Sequence, residues 1–285
     1  MMKRLVLTDL RRAQRKKAFI ICMVITVLLI IIMAIISVWK PSSADTMMSG
    51  ETSGKASAFL SNFSIAYGLM PFLIGIPIYS TVFTDDFKSR TMQTAIGRGI
   101  SRRRLILARF YEVLALLVEA LLIFSVIGIV IALAFGASMS GIGVMIGKMW
   151  FSSVLLVANV AIAMLVLYMT QNPTGGLVLY ILLAADAFRL LLLLLEMIPF
   201  LKDNKIKPSY ILPSGVYELA SDYLFGREAS VDLSKATEGN IEDMIQAVDP
   251  NLAKAMLYIV ILVGVFIILP LILSQTVFRK KELEF

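Results

Sequence analysis

Six apolar stretches, at 18–39, 63–83, 111–135, 149–169, 176–199 and 255–278, recur along a chain of 285 residues. Each reaches the roughly 20 residues that a helix needs to cross the hydrocarbon core of a bilayer. None alternates apolar with polar residues as a membrane barrel strand does. The helix, which satisfies its own backbone hydrogen bonds in lipid, is the expected form. With 59% hydrophobic residues, the chain exceeds what a soluble domain of this length carries. The predicted fold class is an all-α integral membrane protein with six transmembrane helices.

The charge pattern orients those helices. A net charge of +7 does not point to nucleic acid, because the basic residues sort by position relative to the spans. Lys3, Arg4, Arg11, Arg12, Arg15, Lys16 and Lys17 precede the first span. Lys88, Arg90, Arg98, Arg102, Arg103, Arg104 and Arg109 lie between the second and third, and Arg279, Lys280 and Lys281 follow the sixth. An even number of spans puts all three clusters on one side, the cytoplasmic side by the positive-inside rule, and predicts both termini there. The first span is longer than a signal-peptide core and carries no small-residue cleavage site, so it is expected to be retained.

Residues 1–17 form an expected amphipathic interfacial helix, with Met2, Val6, Leu10 and Ala13 on one side and Arg4, Arg11, Arg12 and Arg15 on the other. A lipid-binding role and a bare topology signal are both open for it. The six-span domain occupies 18–278, a cytoplasmic loop 84–110, and a short tail 279–285. External segments are expected at 40–62, polar and rich in Ser, Thr and Gly, and as a short turn at 135–148. A tight cytoplasmic turn is expected at 170–175, where Asn172 and Pro173 stand. The largest external element is 200–254, with nine acidic residues. Within it, 213–225 has the pattern of a helix lying against the membrane, and 232–248 that of a second short helix. A solvated lid and a substrate-screening domain are the two readings of this element.

Several chemistries are excluded. Cys22 is the single cysteine, so no intrachain disulfide exists. The chain has no histidine, which removes metal sites built on imidazole or paired thiolates. Gly141, Gly143 and Gly147 lack the spacing of a phosphate loop, and Met149 stands where a Ser or Thr must bind magnesium. Small residues there fit a close helix contact instead.

Ionisable residues inside the spans are costly unless paired or hydrated. Glu112 and Glu119 are two helical turns apart in the third span, and Asp186 and Arg189 are spaced to pair in the fifth. Glu112 lies near enough to the interface to reach headgroups. For Glu119, Asp186 and Arg189, with Asn159 of the fourth span, an interhelical packing network and a translocation path are both open.

The segment between the second and third spans carries the most information. Thr84 or Asp85 is placed to cap a short helix over 86–96, with carboxylates complementing its dipole. Gly97 and Gly99 then break it, and Ser101 opens the next helix. Asp86, Phe87, Lys88, Ser89, Arg90 and Thr91, followed by Ile100, Ser101 and Arg102 and the apolar-basic run 105–109, resemble the cytoplasmic loop of ABC-2 type transporter permeases. Asp86 matches that family's acidic position, Thr91 its Thr, Ser101 and Arg102 its Ser-Arg pair, and Arg109 the basic residue opening the third span. Arg90 replaces the usual Gly, and Gly99 stands where Pro is common. Within the family the loop is similar to that of bacteriocin-immunity and bacitracin-type export permeases.

The resemblance implies a non-catalytic permease that works as a pair, with itself or a homologous chain, alongside two copies of an ABC ATPase subunit that holds ATP and Mg. It implies an ATPase-coupling surface at Asp85, Asp86, Arg90, Thr91, Arg98, Ser101 and Arg102, a place in the bacterial cytoplasmic membrane, and export of an amphipathic substrate such as an antimicrobial peptide or lipid-like compound. No cofactor is expected on this chain and no nucleic acid partner, the lipid bilayer being its medium. Two readings from other classes stand beside it: a membrane sensor or assembly protein with a ligand-binding external loop, and an ion-coupled carrier using Glu119, Asp186 and Arg189.

Overall fold

The computed structural model describes residues 10–39, 54–84, 96–97, 99–196, 207–225 and 251–278, and the backbone of 227–231, 245–248 and 279–280. Among the described residues, five helices are long and apolar enough to cross a membrane: Lys17–Trp39, Gly54–Thr84, Arg102–Ala134, Met139–Thr170 and Leu252–Phe278. The broken pair Pro173–Ala184 and Ala187–Glu196 makes a sixth if it forms one span. The chain is an all-α membrane protein, apart from one small hairpin among the described residues. It divides into two compact units, one of residues 1–185 and 267–285 and one of residues 186–266.

In the first unit, α1 (Lys17–Trp39) buries a single stripe, Phe19, Thr26, Ile30, Ala34 and Ser37. Its opposite side, including Ile20, Val24, Leu28 and Ile35, is exposed, as suits a helix solvated by lipid. The Thr26 and Ser37 hydroxyls donate to their own helix, at Cys22 O and Met33 O, and Ser37 also accepts from Asn62 Nδ2 at 3.0 Å. That last bond ties α1 to α2 (Gly54–Thr84), which starts well before the expected apolar window. Residues 54–62, assigned to an external loop by their polarity, are helical because Ala56, Ala58 and Phe59 give them a face to bury.

Helix α2 is irregular for an identifiable reason. Pro71 and Pro77 lack an N–H, so the carbonyls of Tyr67 and Leu73 lose their α-helical partners. The chain answers with two π-helical stretches, Pro71–Gly75 and Ser80–Thr84, around the four α-helical residues Ile76–Tyr79.

α3 (Arg102–Ala134) ends in a left-handed glycine turn. Gly136 has φ +75, the Ala137 N–H donates to Ala132 O at 3.0 Å and the Gly136 N–H to Leu133 O at 3.0 Å. Ser138 then caps α4 (Met139–Thr170), accepting from the Gly141 N–H. The external turn expected at 135–148 is thus confined to 135–138, because this cap lets the glycine-containing stretch join the helix. The turn at 170–175 has Gln171 at φ +54 and an Asn172 side chain that accepts from the Thr174 and Gly175 N–H groups, with Pro173 opening α5 (Pro173–Ala184).

In the second unit, α6 (Ala187–Glu196) is followed by a 3-10 turn, Pro208–Ile211, and α7 (Pro213–Phe225). The Glu196 carboxylate accepts from the Ser209 N–H at 2.8 Å and fixes the turn to α6. Gly215 allows the turn to close on α7, since a Cβ there would lie 2.3 Å from Ser209 O. Strands β1 (Arg227–Val231) and β2 (Ile245–Val248) pair antiparallel. The helix expected over 232–248 is therefore a strand at its end, where β-branched Ile245 and Val248 prefer extended backbone; 232–244 lie outside the described residues. α8 (Leu252–Val263) packs on α7, with Tyr223 and Tyr258 stacked 5.8 Å apart and Lys254 over the Tyr223 ring. A π stretch, Gly264–Ile268, leads out of this unit into α9 (Leu269–Lys280), which belongs to the first unit and where Pro270 again removes an N–H.

The fifth span, expected as one run over 176–199, breaks between α5 and α6 at Ala185 and Asp186. Asp186 has φ +53, a left-handed conformation that an aspartate tolerates better than an apolar residue.

Candidate functional site

The expected coupling loop is described at its exit. Residues 96–97 are helical, the Gly99 N–H donates to Ile96 O at 2.9 Å, and Gly99 has φ +84. A glycine suits that turn because left-handed backbone costs it little. Ser101 is extended and its carbonyl accepts from the Leu105 N–H at 3.1 Å, so it is the N-cap residue of α3, though its hydroxyl makes no capping bond. Arg102 is held: its Nη1 donates to Phe278 O at 3.0 Å, and its guanidinium lies 5.6 Å from the centroid of the Phe278 ring. Phe278 packs in turn on Tyr168 of α4. Asp85, Asp86, Arg90, Thr91 and Arg98 lie outside the described residues.

The entry to the loop is the second π stretch of α2. Lys16 Nζ donates to Thr81 O at 2.9 Å inside that stretch, and Gln14 Nε2 donates to Glu119 Oε2 of α3 at 2.7 Å. The segment before α1 is therefore fastened to both helices that flank the loop. Ala13 is buried and Leu10 packs against the core, while Arg11, Arg12, Arg15 and Lys17 are exposed.

Of the polar residues inside the spans, Arg109 and Glu112 form a buried ion pair at 2.6 Å on α3. Glu112 thus turns to an arginine one helical turn away instead of reaching for headgroups. Asn159 is buried in α4. Arg189 lies 3.9 Å from Asp186 and pairs more closely with Glu218 of α7, which the spacing of charges along the fifth span gave no means of finding. The hydrogen bond of Glu119 goes to Gln14 and not to a cation.

Sequence reasoning also missed a contact between α2 and α5. Tyr79 and Tyr180 stack with ring centroids 5.5 Å apart and planes 13° from parallel. Tyr180 donates to Pro71 O at 2.8 Å, and Tyr79 donates to Ala163 O of α4 at 3.2 Å. A Cβ on Gly75 would lie 1.7 Å from the Tyr180 hydroxyl, and one on Gly176 would lie 2.4 Å from the Tyr79 hydroxyl. The signal was present as one pattern written twice, Gly75 with Tyr79 and Gly176 with Tyr180, each pair four residues apart on one helix face.

The family model described as ABC-2 family transporter protein matches residues 5–186, from the segment before α1 through the loop to the break at Asp186. The chain belongs to the ABC-2 transporter family. No curated protein matches it. As an ABC-2 permease it is a multi-pass membrane component of a transporter, generally non-catalytic, and the family implies an ABC ATPase as its partner. In this permease the two fastenings of the N-terminal segment, the α2 π stretches and the Tyr79–Tyr180 contact all lie within the matched region.

Proposed function

We propose that this permease is the membrane subunit of an ATP-driven exporter, and that the loop at 84–110 is where the ATPase delivers its movement. The supporting observation is the local architecture at the loop's two ends. The exit is fixed by Arg102 on Phe278, and the entry is the π stretch Ser80–Thr84, bound by Lys16. A displacement of the loop therefore acts on α2 and α3 together. Asp85, Asp86, Arg90, Thr91, Arg98 and Ser101 form the proposed docking surface. Two permeases and two ATPases, the latter holding ATP and Mg, make the working unit in a bacterial cytoplasmic membrane. The substrate is amphipathic, an antimicrobial peptide or lipid-like compound, as in the bacteriocin-immunity and bacitracin-type group whose loop this one resembles.

A path role for the cluster on the second unit is the natural companion. Asp186 sits at a helix break within a span and shares Arg189 with Glu218, and broken helices with polar residues are where transporters build substrate sites.

The test is co-purification from native membranes with an ATPase assay. Asp86→Arg should release the ATPase while leaving the permease folded. Arg102→Ala serves as the control for the internal anchor, since that side chain is committed to Phe278. Recovery of no nucleotide-binding chain with the wild-type permease would defeat the reading.

A further inference from the structure

Residues 10–17 carry two different sets of contacts. Ala13 is 2% exposed, Leu10 packs on the core, Gln14 bonds Glu119 and Lys16 bonds Thr81 O. Arg11, Arg12, Arg15 and Lys17 point away and enter none of the ion pairs among the described residues. A basic tail is ordinarily a solvated, mobile feature. Here the inward bonds hold the cations in place at the start of a helix long and apolar enough to cross a bilayer, and the end of such a span stands at a membrane surface whichever side that surface is.

We propose that Arg11, Arg12, Arg15 and Lys17 form a docking surface for the phosphate headgroups of anionic phospholipid, and that headgroup binding steadies the Gln14–Glu119 and Lys16–Thr81 fastenings. Charge complementarity selects the occupant. Guanidinium groups pair with phosphate through several donors at once, and basic residues at a membrane surface gain binding free energy from anionic lipid. The consequence goes beyond transport coupling as such: lipid composition sets how firmly the N-terminal segment holds the two helices that flank the loop.

The experiment uses the full chain without any ATPase, so it can fail or succeed separately from the proposed function. Amide hydrogen exchange is measured in nanodiscs of phosphatidylcholine alone and of phosphatidylcholine with one quarter phosphatidylglycerol. The anionic lipid should slow exchange at 10–16 and at 81–84, and each arginine changed to glutamine should reverse the slowing by about fivefold. The combination Arg11→Gln, Arg12→Gln and Arg15→Gln should abolish it while exchange in α4 stays unchanged. Gln14→Ala should keep the lipid effect at 10–13.

No slowing in the wild-type chain overturns the proposal, as does equal slowing in the triple variant. Slowing by inorganic phosphate in phosphatidylcholine discs would show that free phosphate is the ligand and overturn the lipid as its source. Slowing that needs added ATPase would assign the arginines to a protein partner instead.

Discussion

Tyr79 and Tyr180 each place a hydroxyl where the other's helix has a glycine. The two stacked rings bring α2, which ends at Thr84, against α5, which ends at Ala184.

Adding a methyl group to either glycine forces that contact apart. Gly75→Ala meets a tyrosine hydroxyl at 1.7 Å and Gly176→Ala one at 2.4 Å, so the first is the more disruptive. Overpacking of this kind costs about 1–3 kcal/mol. The thermal midpoint in detergent should fall for both variants, further for Gly75→Ala. Combining Gly75→Ala with Tyr180→Phe should recover part of the loss, a non-additivity that identifies the contact.

The Arg109–Glu112 pair is buried, so removing one member takes a 2.6 Å ion pair from a charge that stays out of water. Glu112→Leu and Arg109→Met should each destabilise by about 3–5 kcal/mol, whereas the double replacement should cost far less. Thermal unfolding of the three variants measures this. Equal losses in all three would mean that the pair is not the controlling feature.

Pro77 separates folding from the proposed coupling. Pro77→Ala restores an N–H for the Leu73 carbonyl and should leave α2 at least as stable, because proline inside a helix costs about 3 kcal/mol. The restored α-helical register should turn the residues entering the loop relative to α3. The variant is expected to keep its thermal midpoint and lose stimulation of the ATPase by substrate. Unchanged stimulation would show that the π stretch Ser80–Thr84 is passive.

Asp186 allows its backbone and its charge to be tested apart. Asp186→Gly relieves the left-handed conformation and should stabilise slightly, while Asp186→Asn keeps a residue that tolerates φ +53 and removes only the charge. Transport lost in both variants with normal protein levels would assign the carboxylate to the substrate path. Transport retained in both would leave Arg189 and Glu218 as a packing pair.

The helices were legible because lipid allows few alternatives to a continuous apolar run. Turn chemistry was legible for the same local reason: Gly99, Asn172 and Pro173 act within a few residues of themselves. The start of α2 at Gly54 was not, because Ala56 and Ala58 become core only when Phe59 finds Phe135 across the bundle, 5.7 Å between centroids. The π stretches escaped because a missing N–H says that a hydrogen bond is lost, not how the chain recovers it. Among the polar residues, the i,i+3 spacing identified Asp186 with Arg189, but Gln14 on Glu119 and Glu218 on Arg189 are pairings between distant segments that no local period encodes.

The duplicated glycine and tyrosine pattern has a mechanical consequence. Two antiparallel helices carrying it meet about a local twofold axis, so each large ring seats against a position of its neighbour that has no side chain. Sliding either helix along the other would drive a ring into an occupied position, whereas tilting about the stacked rings keeps both seated. α2 and α5 are pinned at a pivot and are not free to act as a rail.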